Sequence, residues 1–165
     1  MPEGLYKAVI EIPIGSKVKY ELDKETGLLR LDRVLYSSFH YPVNYGFIPQ
    51  TLDCDGDPLD ILIICQEPIQ SLALVEAKII GVMNMIDGND NDDKIIAVAN
   101  KDISVSHINS MEQLPPHWKV EVQNFFENYK MLENKKTTIE NFQDRDRAIR
   151  IIGECRERFK TKFGY

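Results

Sequence analysis

The chain has 165 residues, 43% hydrophobic and 28% charged, with a formal net charge of −6. That length suits one domain with its own core, and the acidic balance argues against nucleic acid or an anionic membrane as partner, though not against an anionic substrate held by local bases. Three cysteines, Cys54, Cys65 and Cys155, with no CxxC pair, point to reduced thiols in a cytosol rather than a disulfide framework or zinc site.

Met1-Pro2-Glu3-Gly4 has neither the basic nor the apolar region of a signal peptide, and no apolar run is long enough to span a bilayer. A cytoplasmic protein is expected. Residues 6–12 read as a strand closed by Pro13. Residues 17–22 alternate, with Lys17, Lys19 and Glu21 on one face and Val18, Tyr20 and Leu22 on the other. Asp23 to Gly27 is a hairpin loop, and residues 28–35 are the return strand. The stretch Phe39 to Pro49 is too rich in Pro and Gly for a regular element. Residues 60–65 form a near-continuous apolar strand, as expected where both faces are buried, and Glu67-Pro68 ends it. Two more strands follow, roughly 72–77 and 78–86, then an acidic loop from Asp87 to Asp93 and a strand over 94–99. Helical periodicity appears late. Trp118, Val122, Phe125, Tyr129 and Leu132 recur at spacings of four and three, behind Pro115-Pro116, where proline is tolerated. A second helix near 144–163 carries Ala148, Ile152, Cys155, Phe159 and Phe163 on one face. Many short strands and then two helices make an α+β, mainly β layout: a small antiparallel barrel or curved sheet with helices packed outside.

The chemistry concentrates in Asp53-Cys54-Asp55-Gly56-Asp57-Pro58-Leu59-Asp60, four carboxylates within eight residues. Such crowding is unfavourable unless water solvates it or a cation neutralises it, and the buried strand that follows at once anchors it to the core. Turn chemistry explains a lone Asp-Gly-Asp. With Asp53 and Asp60 added, a site of hard oxygen ligands for Mg²⁺ is the better reading. An EF-hand is excluded: counted from Asp53 the sixth residue is Pro58 and the twelfth Ile64, and from Asp87 they are Asp92 and Val98. In the second acidic loop, Asp87 ends an apolar strand and is best placed to reach a shared site, with Asp92 next. Lys19 and Glu21 share a strand face, and Arg33 lies on the return strand, within cross-strand reach. Pattern alone does not separate Lys19 and Arg33 from surface charges such as Lys17, Lys24 and Arg30. Tyr41 and Tyr45 straddle Pro42, Tyr129 sits on an apolar helix face, and Lys130 is one position round from it. His40, His107 and His117 have no zinc spacing.

Asp55-Gly56-Asp57-Pro58-Leu59-Asp60-Ile61 resembles the signature of the soluble family I inorganic pyrophosphatases. The surroundings agree in order: Ile10-Glu11-Ile12-Pro13, Lys19-Tyr20-Glu21, Asp32-Arg33, Tyr41-Pro42-Val43-Asn44-Tyr45-Gly46, Asp87, Lys94, and Phe125-Phe126-Glu127-Asn128-Tyr129-Lys130. The resemblance covers roughly residues 8–132. It implies a five-stranded OB-like antiparallel barrel with two helices outside, a single pyrophosphatase domain over 1–165, and Mg²⁺-dependent hydrolysis of pyrophosphate to two orthophosphates. It implies metal ligands at Asp55, Asp60, Asp87 and Asp92, with Glu11 and Glu21 nearby through water, and leaves Asp53 outside them. Asp57 matches the residue that positions or deprotonates the attacking water. Lys19, Arg33, Lys94, Tyr129 and Lys130 match phosphate-holding groups, and Tyr41 and Tyr45 match active-site tyrosines. The short chain resembles bacterial-type members, which implies a homohexamer. Gly88 stands where bacterial relatives often carry an acid. Within the loop, Asp92 is taken as the ligand over Asp90 and Asp93 because Lys94 follows two residues on. Two other readings are a hydrolase of nucleotide phosphoanhydrides, which lacks support from any P-loop, and a non-catalytic OB-like binding module, which the acidic balance disfavours for oligonucleotides.

Overall fold

A computed structural model describes residues 4–164; Met1–Glu3, where no leader is expected, and Tyr165 lie outside the described residues. In chain order the elements are β1 (Leu5–Ile12), β2 (Val18–Leu22), β3 (Leu29–Val34), β4 (Asn44–Phe47), β5 (Asp60–Ile64), β6 (Leu74–Asp87), β7 (Asp90–Asn91), β8 (Lys94–Ala99), α1 (Pro116–Asn128), β9 (Thr137–Asp144) and α2 (Arg145–Phe163). The pairings β1–β4, β4–β5, β5–β8, β8–β6 and β6–β1 close a ring of five strands. The expected five-stranded barrel is therefore present, with one amendment: β5 and β8 run parallel. β9 and the short β7 extend the sheet from β6, while β2 and β3 form a separate two-stranded sheet.

Alternation on the strands divides the core in two. Ile61, Ile63, Ile95 and Ala97 pack with Ala148, Ile151, Ile152 and Cys155 of α2. The intervening Leu62, Ile96 and Val98 pack with Val122, Phe125 and Phe126 of α1. This is why β5 and β8 read as unbroken apolar runs, since both of their faces are covered.

Five expectations need correcting. The stretch 39–49 does contain a strand, β4, whose Gly46 is required by close approach: a Cβ there would lie 1.9 Å from the Val9 carbonyl oxygen. The two strands expected over 72–86 are one, β6, bent at a bulge between Ile79 and Gly81 that preserves its pairing with β8. β9 was not expected, because its sequence Thr137-Thr138-Ile139-Glu140-Asn141-Phe142-Gln143-Asp144 is largely polar; pairing along β6 makes it a strand. α1 stops at Asn128, so Tyr129 caps it and Leu132 lies in a following 3₁₀ turn, exposed rather than on a helix face. α2 is as expected except that Phe163 is exposed; Asp144 caps its start, accepting the Arg147 N–H at 3.0 Å. No helix among the described residues is long and apolar enough to cross a membrane.

Candidate active site

The acidic loop between β4 and β5 is fixed by its own backbone and by α2. Asp53 N–H donates to the Asp57 carbonyl (2.7 Å) and Gly56 N–H to the Asp53 carbonyl (3.1 Å). Gly56 turns the chain in the left-handed region, φ +89°, so the loop is a tight turn rather than an extended strand. Asp57 N–H donates to Asp55 Oδ1 (2.9 Å). From the helix, the Cys155 carbonyl accepts Leu52 N–H (3.0 Å) and Arg158 Nη1 donates to the Leu52 carbonyl (2.8 Å). Side chains in the loop are thus held on a braced frame.

A cavity of about 230 Å³ opens over this loop. Of the fourteen side chains singled out in the sequence, twelve line it: Glu11, Lys19, Glu21, Tyr45, Asp55, Asp57, Asp60, Asp87, Asp92, Lys94, Tyr129 and Lys130. Arg33 and Tyr41 do not. Tyr41 is buried behind the wall, its ring 5.6 Å from that of Tyr45 and 4.7 Å from that of Phe125. Arg33 is held in ion pairs, with Nη1 2.5 Å from Asp32 Oδ2 and Nε 2.9 Å from Glu133 Oε1. Lys24, indistinguishable from a surface charge in the sequence, reaches the lining.

The parallel register of β5 and β8 sets Asp60 beside Lys94. The buried Lys94 Nζ donates to Asp60 Oδ2 (2.6 Å), Asp92 Oδ2 (2.9 Å) and Tyr45 Oη (3.0 Å), which uses all three of its protons. Against burial, Asp60, Tyr45 and Asp92 hold that ammonium well above its ordinary pKa. At the end of β6, Asp87 Oδ2 accepts from Lys130 Nζ (2.6 Å). Glu11 Oε2 accepts the Leu22 N–H (2.8 Å), which ties β1 to the β2–β3 hairpin. Lys19 is lowered by burial and then by the Arg33 charge.

The acids are crowded and desolvated. Burial, with smaller contributions from neighbouring acids, pushes Glu11 up to about 7, Asp53 up to about 6, and Asp60 up to about 6 despite Lys94. Asp55 is raised for the same reason. One oxygen from each of Asp53, Asp55 and Asp92 falls within 4.8 Å of the others. Asp92 Oδ1 is buried and has no hydrogen-bond partner from the protein, and buried carboxylate oxygens are ordinarily paired. Three hard carboxylate donors with an orphaned oxygen fit a divalent cation of the Mg²⁺ or Ca²⁺ kind. Asp53, left outside the ligand set by the sequence, is thus inside the acidic cluster; its burial at the inner side of the turn carries no signal in the residue string. Burial also raises Tyr45 and Tyr41 well above the phenol range, and raises Tyr129, so all three stand as neutral phenols at neutral pH.

Known proteins share this arrangement of elements and sequence. Residues 8–160 match the family described as inorganic pyrophosphatase. A soluble inorganic pyrophosphatase of Solanum tuberosum is 50% identical over 149 residues, covering 90% of this chain and 71% of that one. The inorganic pyrophosphatase of Halalkalibacterium halodurans is 47% identical over 154 residues, 93% of this chain and 94% of its own. The crystal structure of inorganic pyrophosphatase from Thermus thermophilus superposes with a TM-score of 0.93 at 38% identity, covering 96% of this chain and 93% of the other.

Proposed function

This chain belongs to the inorganic pyrophosphatase family and is an inorganic diphosphatase, and from that premise we propose that it hydrolyses pyrophosphate with Mg²⁺ held by Asp55, Asp60, Asp87 and Asp92. Glu11 and Glu21 sit at the same cavity and act through water. The observation that carries the reading is the meeting, in one cavity, of that acidic set with Lys19, Lys94, Lys130, Tyr45 and Tyr129. Acids alone bind cations and bases alone bind anions; a metal–polyphosphate complex needs both.

The chemistry follows from charge. Pyrophosphate is a dense anion that repels hydroxide. Bound divalent cations lower the pKa of water and neutralise phosphoanhydride oxygens. Asp57 shares the braced turn with Asp55 and faces the cavity, so its carboxylate takes the proton of the attacking water. Lys19 and Lys130 put positive charge where it develops on the departing phosphate, and the neutral phenols of Tyr45 and Tyr129 donate hydrogen bonds. Lys94 spends its donors on Asp60, Asp92 and Tyr45; neutralising those acids frees the same ammonium for a phosphate oxygen. Arg33, one step behind Lys19, adds field strength.

The same proposal takes residues 1–165 as one domain, supported by the span of the family match. It places the protein in the cytoplasm, supported by three unpaired cysteines. A homohexamer rests on the bacterial-type resemblance and on exposed apolar side chains such as Leu31 and Tyr36. Phosphate release from pyrophosphate and from ATP, each with and without Mg²⁺, tests the function. Release from pyrophosphate only, and only with Mg²⁺, is expected; release from ATP at a similar rate would favour a general phosphoanhydride hydrolase.

A further inference from the structure

One buried charge near the cavity has no role in the chemistry above. The side chain of Glu133 is 6% exposed, and its Oε1 lies 2.9 Å from Arg33 Nε. This is an ion pair held by charge rather than by aligned hydrogen bonds. Arg33 Nε and Nη2 and Glu133 Oε2 are buried with no hydrogen-bond partner. Burying two ions is unfavourable unless their geometry is held by something larger, so the position of this pair calls for a reason.

The reason lies in what the pair joins. Among the described residues β2 and β3 pair only with each other, and Lys19 faces Arg33 across them. The hairpin is thus outside the five-stranded ring, yet it supplies Lys19 to the cavity. Glu133 closes the 3₁₀ turn Met131–Glu133 that follows Tyr129 and Lys130, and its N–H donates to the Lys130 carbonyl at 3.0 Å. The Arg33–Glu133 contact therefore spans from the segment bearing Tyr129 and Lys130 to the hairpin bearing Lys19. Asp32 completes the bracket, 2.5 Å from Arg33 Nη1 and 3.6 Å from Lys19 Nζ.

We propose that Glu133 is a positioning residue for phosphate recognition: through Arg33 it fixes the β2–β3 hairpin against the Tyr129–Lys130 segment and so sets the spacing of the cations that grip the substrate. The inference rests on the pyrophosphatase reading of the cavity. Glu133 lines no part of the cavity, so its effect must pass through Arg33.

The test uses the full chain and two probes, inorganic phosphate and Mg²⁺, each by titration calorimetry, alongside steady-state hydrolysis. In Glu133→Gln, KM for pyrophosphate rises and phosphate affinity falls by about tenfold, kcat changes less, and Mg²⁺ affinity stays within about twofold of wild type. Arg33→Ala gives a similar loss, and the double variant Arg33→Ala/Glu133→Gln is no worse than Arg33→Ala alone. Glu133→Asp, which keeps the charge and shortens its reach, gives a smaller shift of the same kind and serves if Glu133→Gln does not fold. Unchanged phosphate affinity in the folded variant, an equal loss of Mg²⁺ affinity, or losses that add in the double variant would overturn the inference. A wild-type chain that neither binds phosphate nor hydrolyses pyrophosphate overturns the underlying reading instead, before any variant is compared.

Discussion

The two walls of the cavity are built differently. The acidic wall belongs to the ring: Asp60 and Lys94 open the paired strands β5 and β8, Asp87 ends β6, and the turn bearing Asp53, Asp55 and Asp57 is tied to α2 through backbone bonds. The other wall comes from outside the ring. Lys19 stands on a separate hairpin and Lys130 on the segment after α1; Arg33–Glu133 links these two, and Lys130–Asp87 ties the segment to the acidic wall. A metal site needs oxygens held to fractions of an ångström and gains from a rigid frame. A phosphate grip needs positive charge whose geometry can adjust between one substrate and two products. On the proposed reading, embedded acids and strapped-on bases meet those two needs separately.

If the walls are separable, damage to each has its own signature. The largest effect is expected at Asp60. Asp60→Ala removes a part-buried carboxylate of the proposed metal set, paired with Lys94, and turnover at saturating Mg²⁺ falls by roughly 10³-fold; near wild-type turnover would break the division. Lys94→Met leaves the buried Asp92 and the part-buried Asp60 without their shared cation, and lowers stability by about 3 kcal/mol, read from denaturant unfolding in the absence of metal. A variant as stable as wild type would show that Lys94 does not hold this wall together.

How far these walls are legible in the sequence follows the same boundary. β5, with its apolar run behind four acids, and α2, with a clear apolar face, are evident because their signal is local. Twelve cavity-lining side chains follow from motifs that stand in short stretches. What is hidden depends on partners distant in the chain. β4 is disguised by Gly46, which is there only because Val9 lies against it. β9 is polar by composition and exists because β6 offers it an edge. Glu133 meets Arg33 from a hundred residues away in sequence, and no spacing rule reaches that far. Arg33 itself carries the right charge in the right motif, yet stands behind the cavity rather than in it.

The next effect in size falls on the other wall. Lys130→Ala takes away a charge-assisted donor and weakens inorganic phosphate by about tenfold, with unfolding little changed because Asp87 is part-exposed. An unchanged KM together with unchanged turnover would remove Lys130 from the grip. A pH series sharpens the contrast further. Glu11 rises to about 7, and Asp53 and Asp60 to about 6. Raised folded-state values mean that the folded acids hold more protons than the unfolded ones, so the metal-free chain is more stable below the ordinary carboxylate range and loses stability as pH climbs through 6 to 7. Protons also compete with cations for these groups, so Mg²⁺ affinity should rise over that window and level off above it. A melting temperature and an Mg²⁺ affinity that are both flat from pH 5 to pH 8 would contradict the desolvated acidic wall. The smallest effect is Arg30→Ala. Its pairing with Asp23 is at the exposed hairpin tip, where such pairs contribute little, and neither KM nor melting temperature should move measurably.

The division itself is tested most directly by titrating Mg²⁺, without phosphate, into Asp60→Ala and Lys130→Ala side by side. Separate walls predict that Asp60→Ala loses Mg²⁺ binding while Lys130→Ala, with Asp87 released from its ammonium, binds Mg²⁺ at least as well as wild type. Equal losses in the two variants would contradict the division and make the cavity a single undivided charge network.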